Sequence, residues 1–232
     1  MKETKQIKIW KQKFGRDYTS RNPKDTIAMD KLYVQNYGIS RTTMDKGFIG
    51  SLNRSMKILE VGSNVGVQLV FLQKMGFENL YGIEINREVV ELSKSKTKNI
   101  NIIYGSALDI PFKDNYFDLV FTSGVLIHIS PLNIKEAMSE IYRCSKKYIW
   151  GIEYYSDKYT EIEYRGNKNM LWKTNFSKLY LDSFKDLKLV KEKKIKYLAN
   201  NNVDMMFLFK KSKSSNIIKK MRNNFTTKIR EK

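Results

Sequence analysis

Short apolar runs alternate with amphipathic stretches through the middle of the chain, and this alternation predicts most of its elements. Lys57–Val61 and residues 80–85, 100–104, 116–122 and 147–154 are brief and apolar on both faces, as buried strands are. Between them, residues 65–75, Arg87–Lys96 and residues 133–144, just after Pro131, carry apolar positions at helical spacing. Strands of this kind separated by helices predict a parallel sheet covered on both sides. Residues 187–197 and 203–209 read as two late strands, close enough in sequence to form an antiparallel pair. The fold expected is a Rossmann-like, doubly wound α/β sheet of seven mostly parallel strands, with an antiparallel edge hairpin and helices on both faces. Ahead of it, residues 7–14 suggest a short amphipathic helix and residues 25–37 a longer one. Residues 14–23, punctuated by Gly15 and Pro23, read as a loop, and the polar stretch before Lys57, with Gly47 and Gly50, as a connection. No internal repeat is visible. The organisation expected is an N-terminal helical lid (1–55), a catalytic domain (56–211) and a basic tail (212–232).

Composition narrows the class. A chain of 232 residues can bury a large core. It has no run of about eighteen apolar residues that would span a membrane. Its first residues lack the apolar stretch of a signal peptide, so a cytoplasmic location is expected. A single cysteine, Cys144, excludes an internal disulfide, and one histidine, His128, argues against a histidine-based metal site, so no metal is expected. The net charge of +19 raises the question of a nucleic-acid partner. The basic residues are spread along the chain, however, and concentrate only after Lys210, and Lys, Asn and Ile are abundant throughout. A general compositional bias therefore explains the charge better than a polyanion does.

The strongest chemical signal is Lys57-Ile-Leu-Glu-Val-Gly-Ser-Asn-Val-Gly66, an apolar strand ending in Glu60 and followed by a glycine turn and a helix. About twenty residues later, Tyr81-Gly-Ile-Glu84 ends a second strand in another acid. This is how a βαβ unit holds an adenosine. A pyrophosphate needs Gly-x-Gly-x-x-Gly, but Asn64 stands at the middle position, so the pattern favours S-adenosylmethionine over a dinucleotide. Glu60 can take the ammonium of that cofactor, and backbone N–H groups near Gly62 and Asn64 its carboxylate, with Gly66 opening the helix. Glu84, beside Ile85, can accept from both ribose hydroxyls. Ser106 and Ala107 stand where adenine is expected, although many such sites have an acid in place of Ser106. Asp109 reads equally as a ligand or a turn residue. Thr122, Ser123 and Gly124, at the tip of the fourth strand, should lie beside the sulfonium, whereas Asp118 at that strand's start reads as structural.

On these residues the chain resembles class I S-adenosylmethionine-dependent methyltransferases. Three further stretches resemble the methylases associated with pseudaminic acid biosynthesis. They are Phe14-Gly-Arg-Asp-Tyr-Thr-Ser-Arg-Asn22, Ser123-Gly-Val-Leu-Ile-His-Ile129 with Pro131, and Glu153-Tyr-Tyr155 with Glu163-Tyr-Arg-Gly166. The resemblance spans about residues 10–210 and implies transfer of a methyl group to a sugar-related acceptor, leaving S-adenosylhomocysteine. It makes Tyr18, Arg21 and Asn22 part of a lid, with Tyr18 and Arg21 in reach of the cofactor carboxylate.

For an acceptor hydroxyl the candidate general base is His128, although a packing or cofactor-lining role is the favoured reading of its position. Tyr154, Tyr155, Tyr164 and Arg165 are the acceptor-site candidates. Aromatic faces pack on sugar rings, and a guanidinium can clamp a carboxylate such as that of a nonulosonate. Trp172 and Phe176 read as packing residues, with Thr174 as a helix N-cap. The leading expectation is O-methylation of a small-molecule sugar or sugar acid in surface glycan biosynthesis. The alternatives are an RNA or other nucleic-acid methyltransferase, and a non-catalytic protein that keeps the fold.

Overall fold

The computed structural model describes residues 3–212, so the basic tail expected at 212–232 lies, apart from residue 212, outside the described residues. Seven strands form one sheet in the order β3-β2-β1-β4-β5-β9-β8. They are β1 (Lys57–Val61), β2 (Asn79–Glu84), β3 (Asn101–Tyr104), β4 (Phe117–Ser123), β5 (Ser145–Tyr154), β8 (Leu187–Lys196) and β9 (Val203–Lys211). β1 pairs in parallel with both β2 and β4, and β4 with β5. β9, inserted between β5 and β8, runs antiparallel to both of them. The strand order reverses between β1 and β4, which opens a crevice at their carboxyl ends.

Successive residues of β1 enter different cores, as the period of two requires. Leu59 and Val61 join Val120, Ile149 and Phe207 on one face, while Ile58 joins Leu119, Phe121 and Trp150 on the other. Helix α7 (Ile134–Cys144) covers the first face with Ile134, Ala137, Met138, Ile141 and Cys144, the spacing of a single helical stripe. Helix α5 (Val67–Lys74) buries Leu69 and Leu72 against the second face, and α6 (Arg87–Lys96) joins β2 to β3. Asp118 accepts from the Lys57 N–H at 3.0 Å and ties the starts of β4 and β1 together, the structural role expected of it.

Three parts of the sequence reading need correction. Residues 14–23 are largely helical. Helix α1 (Lys5–Trp10) is followed by α2 (Lys13–Arg21), and Gly15 lies inside α2 because it packs on α1. A Cβ there would stand 2.1 Å from the Trp10 carbonyl oxygen, so this glycine marks a close helix contact and not a turn. The stretch before Lys57 is also helical. After α3 (Thr26–Tyr37), capped by Asp25, helix α4 (Arg41–Ile49) buries Met44, Phe48 and Ile49 in the second core. A unit boundary at residue 55 therefore separates α4 from a core that it helps to build. Finally, β6 (Thr160–Tyr164) and β7 (Asn167–Lys173) form a separate antiparallel hairpin. Helix α8 (Phe176–Ser183) follows, and its N-cap is Asn175 rather than Thr174, with the side chain accepting from Lys178 N–H at 2.9 Å.

Candidate active site

The β1–α5 turn is held in a form that few residues adopt. Gly62 has φ +74°, and a Cβ there would meet Val125 Cγ2 at 2.7 Å. Asn64 is also left-handed, at φ 49°, a conformation its short polar side chain tolerates. The Asn64 N–H donates to Glu84 Oε2 at 3.0 Å, and the Asn86 N–H donates to Glu84 Oε1 at 2.9 Å, so the two strand tips are cross-linked. Each Glu84 oxygen keeps a lone pair for a further donor. Burial raises the Glu84 pKa, and these N–H bonds oppose the rise.

Glu60 is different. It is 2% exposed, its Oε2 has no partner, and it lines the cavity at the crevice. Burial drives its pKa well above the ordinary carboxylate range. A buried acceptor without a partner is costly, which marks Glu60 as a group awaiting a donor. Trp10 Nε1 and Gln68 Oε1 are likewise buried, unpartnered and on residues that line the same cavity.

The N-terminal helices roof this cavity. Thr4, Ile7 and Trp10 of the α1 region and Tyr18 and Thr19 of α2 form part of its wall. On one side the roof is pinned to the end of β2: Asn86 Nδ2 donates to the Trp10 and Gln12 carbonyls, and Arg16 pairs with Glu88 at 2.7 Å. On the other side Gln6 Nε2 donates to the Asn169 carbonyl of the hairpin at 3.1 Å, and Phe14 packs against Tyr164. Thr19 Oγ1 donates to Asn64 Oδ1 at 2.9 Å and joins roof to floor.

A profile described as a methyltransferase domain matches residues 59–148, which run from β1 to β5. Phosphoethanolamine N-methyltransferase of Plasmodium falciparum (isolate 3D7) is 24% identical over 78% of this chain and 76% of its own length. Among solved structures, 1,6-didemethyltoxoflavin-N1-methyltransferase of Burkholderia thailandensis, bound to S-adenosylhomocysteine, aligns with a TM-score of 0.62. It shares 12% identity over 85% of this chain and 82% of that one. The chain is an S-adenosylmethionine-dependent methyltransferase. A Pyrococcus horikoshii OT3 protein has the same fold, with a TM-score of 0.64 at 16% identity over 87% of this chain and 99% of its own.

In this methyltransferase the residues expected at the cofactor separate into two groups. Tyr18, Glu60, Gly62, Asn64, Glu84, Ile85, Ser106, Ala107, Ser123 and Gly124 line the cavity. Arg21, Gly66 and Thr122 do not. Arg21 is exposed at the end of α2. Gly66 starts α5 from behind the turn. The Thr122 hydroxyl is turned to Glu153, whose carboxylate also accepts from the N–H groups of Val125 (3.1 Å) and Ile127 (3.3 Å). Glu153, pushed up to about 7 by burial, thus shapes the segment after β4. Ser106 Oγ accepts from Leu108 N–H at 3.1 Å and closes a local turn, bridged to Asp109.

His128, in a short 3₁₀ turn (Leu126–His128), lines the cavity and touches the Trp10 ring at a centroid distance of 4.7 Å. Its Nδ1 lies 2.7 Å from the Met170 carbonyl oxygen. A carbonyl only accepts, so Nδ1 carries the proton and Nε2 keeps its lone pair. Burial lowers its pKa to about 4.

Tyr154, Tyr155, Tyr164 and Arg165 are not on the cavity wall. Tyr155 bonds to Asp157 and lies under Lys194. Tyr154 packs on Tyr197, and Tyr164 lies between Phe14 and His128, directly behind the site. Arg165 is exposed at the tip of the β6–β7 hairpin. Its place in a turn, before Gly166 and with φ 50°, sends it to solvent. Trp10, Thr19 and Gln68 were missed by the sequence reading. An aromatic residue, a threonine and a glutamine on helices have no signature apart from the folded cavity.

Proposed function

We propose that the enzyme methylates a hydroxyl group of a small molecule of the sugar or sugar-acid class, with His128 as general base. The observation that carries this reading is the neutral imidazole on the cavity wall, oriented by the Met170 carbonyl. When bound, S-adenosylmethionine supplies a methyl group on a positively charged sulfur.

The chain's own residues hold, orient and enclose. Glu60 accepts the ammonium, Glu84 the ribose hydroxyls, and the backbone at Ser106 and Ala107 faces the adenine. Ser123 and Gly124 flank the reacting methyl. Tyr18 and Trp10 close the roof and exclude water, which aligns the acceptor for in-line displacement. His128 Nε2 would take the hydroxyl proton as the acceptor oxygen receives the methyl group.

A roofed cavity supports a small acceptor over RNA. Among the described residues that line the cavity none is Lys or Arg, which supports an uncharged acceptor hydroxyl over a polyanion. The likeness to a phosphoethanolamine N-methyltransferase supports a second reading, an amine acceptor.

The test is methyl transfer from labelled S-adenosylmethionine to neutral sugars, nonulosonic acids, primary amines and RNA. Turnover on sugar hydroxyls, lost in His128→Asn, supports the proposal. Turnover confined to amines or RNA overturns it.

A further inference from the structure

The roof of the cavity carries a donor that the protein leaves unused. Trp10, the last residue of α1, lines the cavity, and its indole Nε1 is buried with no hydrogen-bond partner among the described residues. Glu60 Oε2 and Gln68 Oε1, also unpartnered on this wall, are acceptors, whereas an indole N–H can only donate. A buried donor without a partner is costly, and a buried tryptophan ordinarily finds one, so a lone pair on a ligand is what completes it. The position of the ring does not depend on that N–H. Phe14 and Tyr18 meet it edge-on at centroid distances of 5.1 and 5.3 Å, and Asn86 Nδ2 donates to the Trp10 carbonyl at 3.2 Å. Phenylalanine would satisfy this packing without burying a polar atom.

The neighbouring ring says which ligand supplies the lone pair. The ring centroids of Trp10 and His128 are 4.7 Å apart. His128 uses Nδ1 on the Met170 carbonyl and presents the lone pair of Nε2. Two rings in contact on one wall therefore offer one acceptor and one donor. An acceptor molecule whose hydroxyl meets Nε2 can meet both if it has an oxygen beside that hydroxyl. The oxygen that is methylated needs its electrons for attack, and a donor bonded to it would withdraw them. The indole therefore suits the adjacent oxygen.

We propose that Trp10 is a specificity-determining residue of the acceptor site, its indole N–H donating to the oxygen next to the one that is methylated, so that the enzyme selects vicinal diols. The selection is made by α1, which lies outside the stretch of chain that matches the methyltransferase domain.

The inference rests on the reading of a hydroxyl acceptor deprotonated by His128, and the experiment separates the two. The probes are methyl hexopyranosides and N-acetylneuraminic acid, each paired with analogues that lack a hydroxyl next to the methylated position. Wild type and Trp10→Phe, which keeps an aromatic ring, are compared by kcat/KM, by titration calorimetry with S-adenosylhomocysteine and by melting curves. We expect Trp10→Phe to bind S-adenosylhomocysteine within about twofold of wild type and to lose about tenfold in kcat/KM on the parent sugar. In wild type one deoxy analogue loses at least as much, because it leaves the indole N–H unpaired. In Trp10→Phe that analogue and the parent converge to within about twofold, a coupling that a packing role does not produce. A parent-to-analogue ratio that survives the substitution overturns the inference. So does a loss of S-adenosylhomocysteine affinity as large as the loss on the sugar, which would assign the N–H to the cofactor. Wild type that methylates every deoxy analogue as well as the parent overturns it without any variant. If sugar turnover is lost in His128→Asn and the ratio is unchanged in Trp10→Phe, only the role of Trp10 fails. If wild type methylates none of the sugars, the hydroxyl reading fails and the inference with it.

Discussion

Replacing Glu60 by Gln should make the free enzyme more stable and the ligand bind more weakly. The carboxylate is 2% exposed with one oxygen unpartnered, a situation that costs about 1–3 kcal/mol. The amide that replaces it must house its own NH₂ group, so the lower end, about 1 kcal/mol, is the expected gain. In a domain of this size that raises Tm by about 2–4 °C.

The gain depends on pH with a defined sign. The folded-state pKa of Glu60 lies above its unfolded value. The wild-type protein therefore feels no penalty at pH values below the ordinary carboxylate pKa, and loses stability as pH rises through the folded value. The difference between variant and wild type should be small near pH 4 and larger at pH 8. Binding moves the other way. A hydrogen bond between charged groups contributes about 1.5–3 kcal/mol, so S-adenosylhomocysteine should bind about 10–100-fold more weakly. Scanning calorimetry of the free protein and titration calorimetry with S-adenosylhomocysteine read the two effects separately. A variant that is less stable than wild type across this pH range, or that binds the ligand as tightly, would refute the reasoning.

Gly15→Ala should loosen the roof, because its Cβ would collide with the Trp10 carbonyl at 2.1 Å. Ligand affinity falls while the melting of the sheet core is little changed, and a titration indistinguishable from wild type would count against a covering role for α1. Gly62→Ala forces an L side chain to φ +74° against Val125 and should cost about 1–2 kcal/mol in backbone strain alone, read as a lower Tm. His128, held near pKa 4, stays neutral through the physiological range. Its depressed folded pKa means that the unfolded chain binds more protons between about pH 4 and 6.5, so this group lowers stability as pH falls through that window. His128→Asn should flatten that part of the stability profile, which urea titrations at stepped pH can check. Arg165→Ala should leave the Michaelis constants for cofactor and acceptor within about twofold, because the side chain is exposed at a hairpin tip, and a large rise would place the hairpin over the acceptor.

What the sequence determined by itself is what is local or periodic. β1, β2, β4 and α6 were legible because their apolar spacing has one solution in a doubly wound sheet. The antiparallel nature of the late pair followed from its short connection. Glu60, Gly62 and Asn64 were legible because they share one contiguous turn that needs left-handed backbone, and Glu84 because an acid ends the next apolar strand about twenty residues later. Tertiary structure decided the rest. Gly15 and Gly47 look like punctuation in a linear string, yet α2 and α4 are helical because their buried faces find partners on α1 and on the sheet. Arg165 looked like an anion clamp until the β6–β7 turn carried it to solvent. Trp10, Thr19 and Gln68 join the cavity from separate helices, and Arg41 reaches Ser123 across 82 positions. A chain can announce a turn, whose geometry depends on a few neighbours. Which side chain closes a cavity depends on packing between elements distant in sequence, and in this protein only the folded arrangement fixes it.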